Sequence, residues 1–89
     1  MTKLEEKLIE LGYSLNNIDY LDGKPLYKHY YKIFDYCYIE ASVCQYKSPF
    51  SLKINLRVDS FKLQEVIDDF NKAFNVMKKD LEVLKSVED

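Results

Sequence analysis

Residues 26–58 read LYKHYYKIFDYCYIEASVCQYKSPFSLKINLRV, and three segments of this stretch alternate between apolar and polar side chains. Successive side chains of a β-strand point to opposite faces of a sheet. The alternation therefore predicts strands at about 26–34, 36–46 and 51–58 that share one buried face. The residues expected on that face are Tyr27, His29, Tyr31 and Ile33, then Cys37, Ile39, Ala41 and Val43, then Leu52, Ile54, Leu56 and Val58.

Short turns separate these three segments. They fall near Phe34-Asp35 and at 47–50, and connections this short join antiparallel neighbours. Upstream, the sequence DGKP at 22–25 is a strong turn signal. Residues 18–21 then form either a short additional strand or an irregular lead-in.

A helix is predicted on each side of the strands. Thr2 and Glu5 have the spacing of a capping box and Gly12 suits a helix end, so the first helix covers about 2–11. The final helix begins after Asp59 or Ser60, and its apolar residues recur at alternating intervals of four and three. Those residues are Leu63, Ile67, Phe70, Phe74, Met77, Leu81 and Leu84.

The predicted fold class is α+β, with the order helix, three-stranded antiparallel meander, helix. Because only one face of the predicted sheet is apolar, both helices are expected to cover that face. The chain of 89 residues, 47% of them hydrophobic, is expected to form a single globular domain over 1–89. No apolar run approaches the ~20 residues that cross a bilayer, so no membrane contact is expected.

Cysteine and histidine usage argues against a metal or cofactor site. Cys37 and Cys44 are seven residues apart on one strand, too far apart to form a disulfide, and they indicate free thiols in a reducing cytoplasm. His29 is the single histidine and is expected on the buried face, so no metal site, no cofactor and no catalytic base are predicted. For Glu40 a cross-strand ion pair with Lys32 or Lys53 is expected.

The face opposite the predicted core is interpreted as a docking surface, because it combines tyrosines with lysines. Residues 24–58 hold six basic against two acidic residues, although the whole chain has a net charge of −2, so an acidic partner is expected. The alternative is a nucleic-acid-binding module, in which tyrosines stack on bases and lysines contact phosphates. The residues predicted to bind the partner are Lys28, Tyr30, Lys32, Tyr36, Tyr38, Glu40, Tyr46, Lys53 and Arg57.

The seven-residue repeat of the final helix suggests self-association. A helix of about 25 residues is longer than the sheet it covers. Ile67, Phe70 and Phe74 are then expected in the core. The overhanging residues Met77, Leu81 and Leu84 are expected in a homodimer interface, and the competing outcome is that the first helix covers them.

The order helix, three strands, helix resembles the double-stranded RNA-binding domain over about 2–80. That family docks a lysine cluster at the start of its second helix onto phosphates. Here that position reads DSFKLQE at 59–65 and has no such cluster, so the resemblance does not extend to RNA binding.

The opening MTKLEEKLIELGY, the small size and the abundance of Lys, Tyr, Ile and Asn resemble small accessory proteins of phages that infect low-GC Gram-positive bacteria. Some members of that group inhibit host defence, including anti-CRISPR proteins without enzymatic sites. The resemblance implies a non-enzymatic inhibitor whose partner is a host protein or nucleoprotein complex.

Overall fold

The structure is a computed structural model that describes residues 2–46, 50–57 and 62–87. Its elements in chain order are α1 (Lys3–Glu10), β1 (Ser14–Leu21), β2 (Lys24–Ile33), β3 (Cys37–Cys44), β4 (Phe50–Leu56) and α2 (Leu63–Lys85). The predicted α+β class is confirmed. The predicted number of strands is wrong, because the described sheet has four strands in the order β1-β2-β3-β4, all antiparallel to their neighbours.

The additional strand, β1, forms a hairpin with β2. Asp22 and Gly23 both have positive φ, at 51° and 76°, which suits a two-residue hairpin turn. The sequence of β1, SLNNIDYL, lacks the apolar alternation by which buried strands are recognised, and the strand is mostly exposed. Its pairing with β2 makes it a strand despite this composition.

Helix α1 begins with the predicted capping box. The Thr2 hydroxyl accepts a hydrogen bond from the Glu5 backbone N–H at 3.1 Å, and the Glu5 carboxylate accepts one from the Thr2 N–H at 2.9 Å. Gly12 follows the helix with φ of 98°, a conformation that glycine adopts without strain. The caps predicted for the second helix, Asp59 and Ser60, lie outside the described residues.

One core joins both helices to the sheet. Its buried members are Leu4, Leu8, Tyr13, Tyr30, Ile39, Ala41, Val43 and Leu84. Cys37 is also buried, and Leu52 and Ile54 pack against this cluster, so the predicted faces of β3 and β4 are correct for these residues. Leu56, also predicted to be buried, is 57% exposed at the end of β4. Val58 lies outside the described residues. We term this side of the sheet the core face.

The face predicted for β2 is wrong. Tyr30 is only 2% exposed and pairs with Ala41, so it belongs to the core face together with Lys28 and Lys32. The helices supply partners that make this arrangement stable. Glu5 accepts a hydrogen bond from the Tyr30 hydroxyl at 3.0 Å and lies 3.2 Å from the Lys28 ammonium.

The faces predicted for α2 are also wrong. Ile67, Phe70 and Phe74, predicted as core, are 42%, 37% and 42% exposed, whereas Leu84, predicted in a dimer interface, is 1% exposed. A seven-residue repeat drifts by about 20° per heptad around a straight helix of 3.6 residues per turn. Over three heptads the stripe therefore moves toward the sheet, and its C-terminal end, including Met77, joins the core.

Neither of the two described helices has the length and apolar character that a bilayer crossing requires.

Candidate functional site

The face of the sheet opposite the core carries a continuous set of aromatic and polar side chains, and we term it the open face. Strand alternation and register place there Ser14, Asn17 and Asp19 of β1, Tyr27, His29, Tyr31 and Ile33 of β2, Tyr38, Glu40, Ser42 and Cys44 of β3, and Ser51, Lys53 and Asn55 of β4. Helices α1 and α2 both contribute to the core on the other side. The open face is therefore the broad surface that the described helices leave available.

His29 is the centre of a polar cluster on this face. Its Nε2 lies 2.8 Å from Oδ2 of Asp19, and its Nδ1 lies 2.9 Å from Oγ of Ser42 and 3.4 Å from Oε2 of Glu40. The register produces these contacts, because Ser42 is directly opposite His29 on β3 and Asp19 is on the neighbouring strand β1. The apolar alternation of β2 predicted His29 on the buried face, so this cluster was not expected from the sequence.

Glu40 extends the cluster toward β4. It accepts hydrogen bonds from the Ser42 hydroxyl at 3.2 Å and from the Asn55 amide at 3.3 Å. Lys53, directly opposite Glu40, lies 3.9 Å away, so the predicted cross-strand ion pair with Lys53 is confirmed. The alternative partner Lys32 lies on the core face. The cluster thus orders side chains across all four strands.

Ser42, His29 and Asp19 have the hydrogen-bond distances of a serine–histidine–acid arrangement. Acyl-transfer chemistry also requires backbone donors that stabilise an oxyanion. Ser42 is on β3, which pairs with strands on both sides, so its neighbouring backbone N–H groups are committed to the sheet. Its hydroxyl also donates to Glu40. The geometry therefore suits an ordered polar surface better than a nucleophilic site.

Aromatic rings lie beside the polar cluster. Tyr31 and Tyr38 stack with their ring centroids 4.5 Å apart, and Tyr27 stacks on His29 at 6.3 Å. Burial and a hydrogen bond with Tyr38 raise the pKa of Tyr31, so its hydroxyl stays neutral. Stacked tyrosines offer a large rigid contact area with polar tips, which suits recognition of a partner.

The structure brings together only some of the residues predicted to bind a partner. Tyr38, Glu40 and Lys53 lie on the open face, whereas Lys28, Tyr30 and Lys32 lie on the core face. The open face gains instead residues that were not predicted to bind, among them Asp19, His29, Tyr31 and Ser42.

Three further predicted residues lie at the margins of the sheet. Tyr36 is turned toward α2, where its N–H donates to Asp69 at 2.8 Å and its hydroxyl donates to Glu65 at 2.6 Å. Arg57 follows β4 and donates to the Phe34 carbonyl at 2.9 Å. Tyr46 follows β3 and is exposed. These residues border the open face rather than form it.

In the described part of the chain, the open face carries no excess of basic residues. Among the residues described on it, Lys53 is the one lysine or arginine, and it is accompanied by the acidic Asp19 and Glu40. Lys32 is held on the core face, 2.8 Å from Asp80. The expected basic docking surface is therefore not formed by this face.

A separate shallow cleft lies between the β2–β3 turn and α2. It is lined by Asp35, Tyr36, Glu65, Asp68, Asp69 and Lys72. Several of its polar groups already bond one another, as the Tyr36 contacts show. Within 2–46, 50–57 and 62–87, no three His, Cys, Asp or Glu side chains are grouped to hold a metal ion.

No family model matches this chain, and no curated protein and no solved structure matches it either.

Proposed function

We propose that this protein is a small non-enzymatic binding protein that docks a macromolecular partner on its open face and thereby blocks or adapts that partner. The observation that carries the proposal is the open face itself. It presents the stacked Tyr31 and Tyr38 next to a polar cluster whose side chains are already ordered by hydrogen bonds. A surface with ordered side chains loses little conformational entropy on binding.

Charge favours a protein or nucleoprotein partner over bare nucleic acid. A nucleic-acid module needs cations that neutralise phosphates. Lys28 and Lys32, which the nucleic-acid alternative requires, are paired with Glu5 and Asp80 on the core face. An aromatic surface with one lysine and two carboxylates is more typical of a protein interface.

The resemblance to phage accessory proteins supplies the partner class to test first. That resemblance rests on the opening sequence, the size and the abundance of Lys, Tyr, Ile and Asn. It points to a component of a bacterial defence system, which this protein inhibits in the host cytoplasm by covering one of its surfaces.

The experiment is affinity capture from a lysate of a low-GC Gram-positive bacterium with three forms of the protein. These are the wild type, the double variant Tyr31→Ala/Tyr38→Ala, and the control Glu82→Ala, whose side chain is exposed on α2. The captured protein is then purified, and its affinity for each form is measured by calorimetry. We expect the double variant to bind at least about tenfold more weakly, whereas the control binds like the wild type.

Two results would overturn the proposal. One is undiminished binding of the partner by the double variant. The other is the absence of a stoichiometric protein partner together with tight binding of an oligonucleotide that weakens steeply with salt. The second result would establish the nucleic-acid alternative instead.

A further inference from the structure

β4 is an edge strand of the described sheet, and half of its backbone groups point away from that sheet. The Arg57 N–H donates to the Tyr36 carbonyl at 2.7 Å, which identifies Arg57 as directed toward β3. Backbone groups of successive strand residues point alternately to the two sides. The N–H and C=O groups of Leu52, Ile54 and Leu56 are therefore directed to the side of β4 that lacks a neighbouring strand in the described sheet.

The two edges of the sheet differ in regularity. The pairing of β1 with β2 has two register shifts, between Leu15 and Asn17 and between Asp19 and Tyr20. Such irregularities protect an edge from pairing with another strand. β4 pairs with β3 through seven consecutive residues without a shift, so its edge keeps the regular geometry that a further strand requires.

α2, which packs on the core face of the sheet, carries an exposed apolar stripe. Its members, which we term the outer stripe, are Leu63, Ile67, Phe70 and Phe74. Phe70 and Phe74 stack with their ring centroids 6.4 Å apart.

The helix geometry shows which flank of α2 the outer stripe occupies. Asp69, Lys72 and Val76 lie beside Lys32 and the end of β2. The outer stripe is centred about 90° around the helix from the buried Ala73, on the flank opposite Lys72. α2 packs mainly against β3 and β4, so we infer that this flank is the one nearer to β4.

We propose that the β4 edge and the outer stripe form the interface of a homodimer. In the two-fold arrangement, β4 pairs antiparallel with β4 of a second copy, and Ile54 lies opposite Ile54 of the partner subunit. Leu52 then lies opposite Leu56 of the partner subunit. On the open face, Lys53 lies opposite Asn55 of the partner subunit.

This register is selected by charge and by hydrogen bonding. It pairs the outward backbone groups of Leu52, Ile54 and Leu56 with their counterparts. Shifting the two-fold axis to Lys53 would place two lysines directly opposite each other, which is destabilising.

The outer stripe itself contains no charged residue. The Lys78 ammonium lies 5.3 Å from the centroid of the Phe74 ring and borders the stripe. Apolar side chains therefore meet, with this lysine beside them, when the two α2 helices approach.

A second copy fits this surface better than a single strand of another protein. A lone strand would pair with the β4 edge but would leave the outer stripe exposed. A second copy related by a two-fold axis covers both features, because its β4 edge pairs with this β4 edge and its outer stripe meets this outer stripe.

This interface leaves the open face available, so the inference is independent of the proposed function. The dimer would contain one continuous sheet of eight strands with both open faces on the same side. A partner with two sites could then bind both copies at once.

The first test is a designed disulfide at the proposed contact. In the proposed register, Lys53 and the partner subunit's Asn55 form a pair without direct backbone hydrogen bonds. The Cα atoms of such a pair are about 4.5 Å apart, which is close enough for a disulfide. The double variant Lys53→Cys/Asn55→Cys, made together with Cys44→Ser, should form a disulfide-linked dimer under mild oxidation. The single variant Lys53→Cys in the same background should stay largely unlinked. Failure of the double variant to link would overturn the proposed register.

The second test measures the mass of the protein by sedimentation at the highest soluble concentration. The wild type should be a dimer. Ile67→Glu and Leu56→Pro should be folded monomers, and the proline costs no hydrogen bond to β3 because the Leu56 N–H points outward. The matched control Val83→Glu changes a residue of α2 that is 38% exposed on the other flank and should remain a dimer.

A monomeric wild type would overturn the homodimer. Dissociation by Val83→Glu as complete as that by Ile67→Glu would overturn the assignment of the interface to the outer stripe. Circular dichroism of each variant shows that a change in mass is not caused by unfolding.

Discussion

Nζ of Lys32 lies 2.8 Å from Oδ2 of Asp80, and this contact joins β2 to the C-terminal helix. The same carboxylate oxygen accepts a hydrogen bond from the Tyr13 hydroxyl at 2.8 Å. Asp80 is buried, so its charge is stable only with such partners. Burial of the Tyr13 hydroxyl, together with its hydrogen bond to Asp80 and the charge of that carboxylate, raises the pKa of Tyr13. The hydroxyl therefore stays protonated and remains a hydrogen-bond donor.

Replacing Asp80 should destabilise the fold. Asp80→Ala leaves the Lys32 ammonium and the Tyr13 hydroxyl without their acceptor, and we expect the free energy of unfolding to fall by about 3 kcal/mol. Urea denaturation followed by circular dichroism measures this change. In a double-mutant cycle with Lys32→Met, the two effects should be less than additive. Additive effects would show that the two residues do not interact.

Stability should decrease in acid because of Glu5. Burial raises the pKa of this carboxyl, but hydrogen bonds from Thr2, Lys28 and Tyr30 outweigh burial and hold it below the ordinary value of 4.5. A carboxyl with a lowered pKa in the folded state stabilises the protein above its unfolded pKa. This contribution is lost as the pH falls through the folded value.

Urea midpoints measured between about pH 7 and pH 3 test this expectation. The wild type should lose stability below the ordinary carboxyl pKa of 4.5. Glu5→Gln should be less stable at neutral pH, and its stability should vary less in acid. Identical pH profiles for the two proteins would rule out Glu5 as a source of the acid sensitivity.

The two cysteines should differ in reactivity. Burial, followed by the hydrogen bond and charge of Asp69, raises the pKa of Cys37 to about 12. Cys44 is half-buried on the open face. Because the thiolate is the reactive form, iodoacetamide should modify Cys44 in the native protein and both cysteines in urea. Peptide mass spectrometry locates the label, and comparable native labelling of Cys37 would contradict its burial.

Leu84 should be essential for folding rather than for self-association. It is 1% exposed in the core, so Leu84→Glu buries a charge without a partner, and we expect loss of the folded state. Val83→Glu, on the exposed neighbour, is the control and should change the melting temperature little. A folded, monomeric Leu84→Glu protein would instead support the interface that the heptad pattern predicted.

Local patterns predict the parts of this fold that depend on neighbouring residues. The capping box of Thr2 and Glu5 and the hairpin turn at Asp22 and Gly23 arise from short-range geometry. Apolar alternation in Cys37–Cys44 identifies both the strand and its buried face, because its alternate residues differ strongly in polarity. The ion pair of Glu40 with Lys53 follows from the same pattern once the strands are adjacent.

The faces of β2 and α2 were not predictable in this way. In β2 every residue from Tyr27 to Lys32 is aromatic or carries a long polar chain, so either face could be buried. Tyr30, Lys28 and Lys32 face the core because Glu5 of α1 and Asp80 of α2 bind them there. That choice leaves His29 on the open face and creates the polar cluster.

Local sequence patterns account for the α+β class, the helix at each end and the buried face of β3. The face of β2 that meets the helices, and the half of the α2 stripe that is buried, depend on contacts made in the folded chain. Amphipathic side chains are stable on either face of a strand. Their placement depends on charged partners that are distant in sequence, here Glu5 and Asp80.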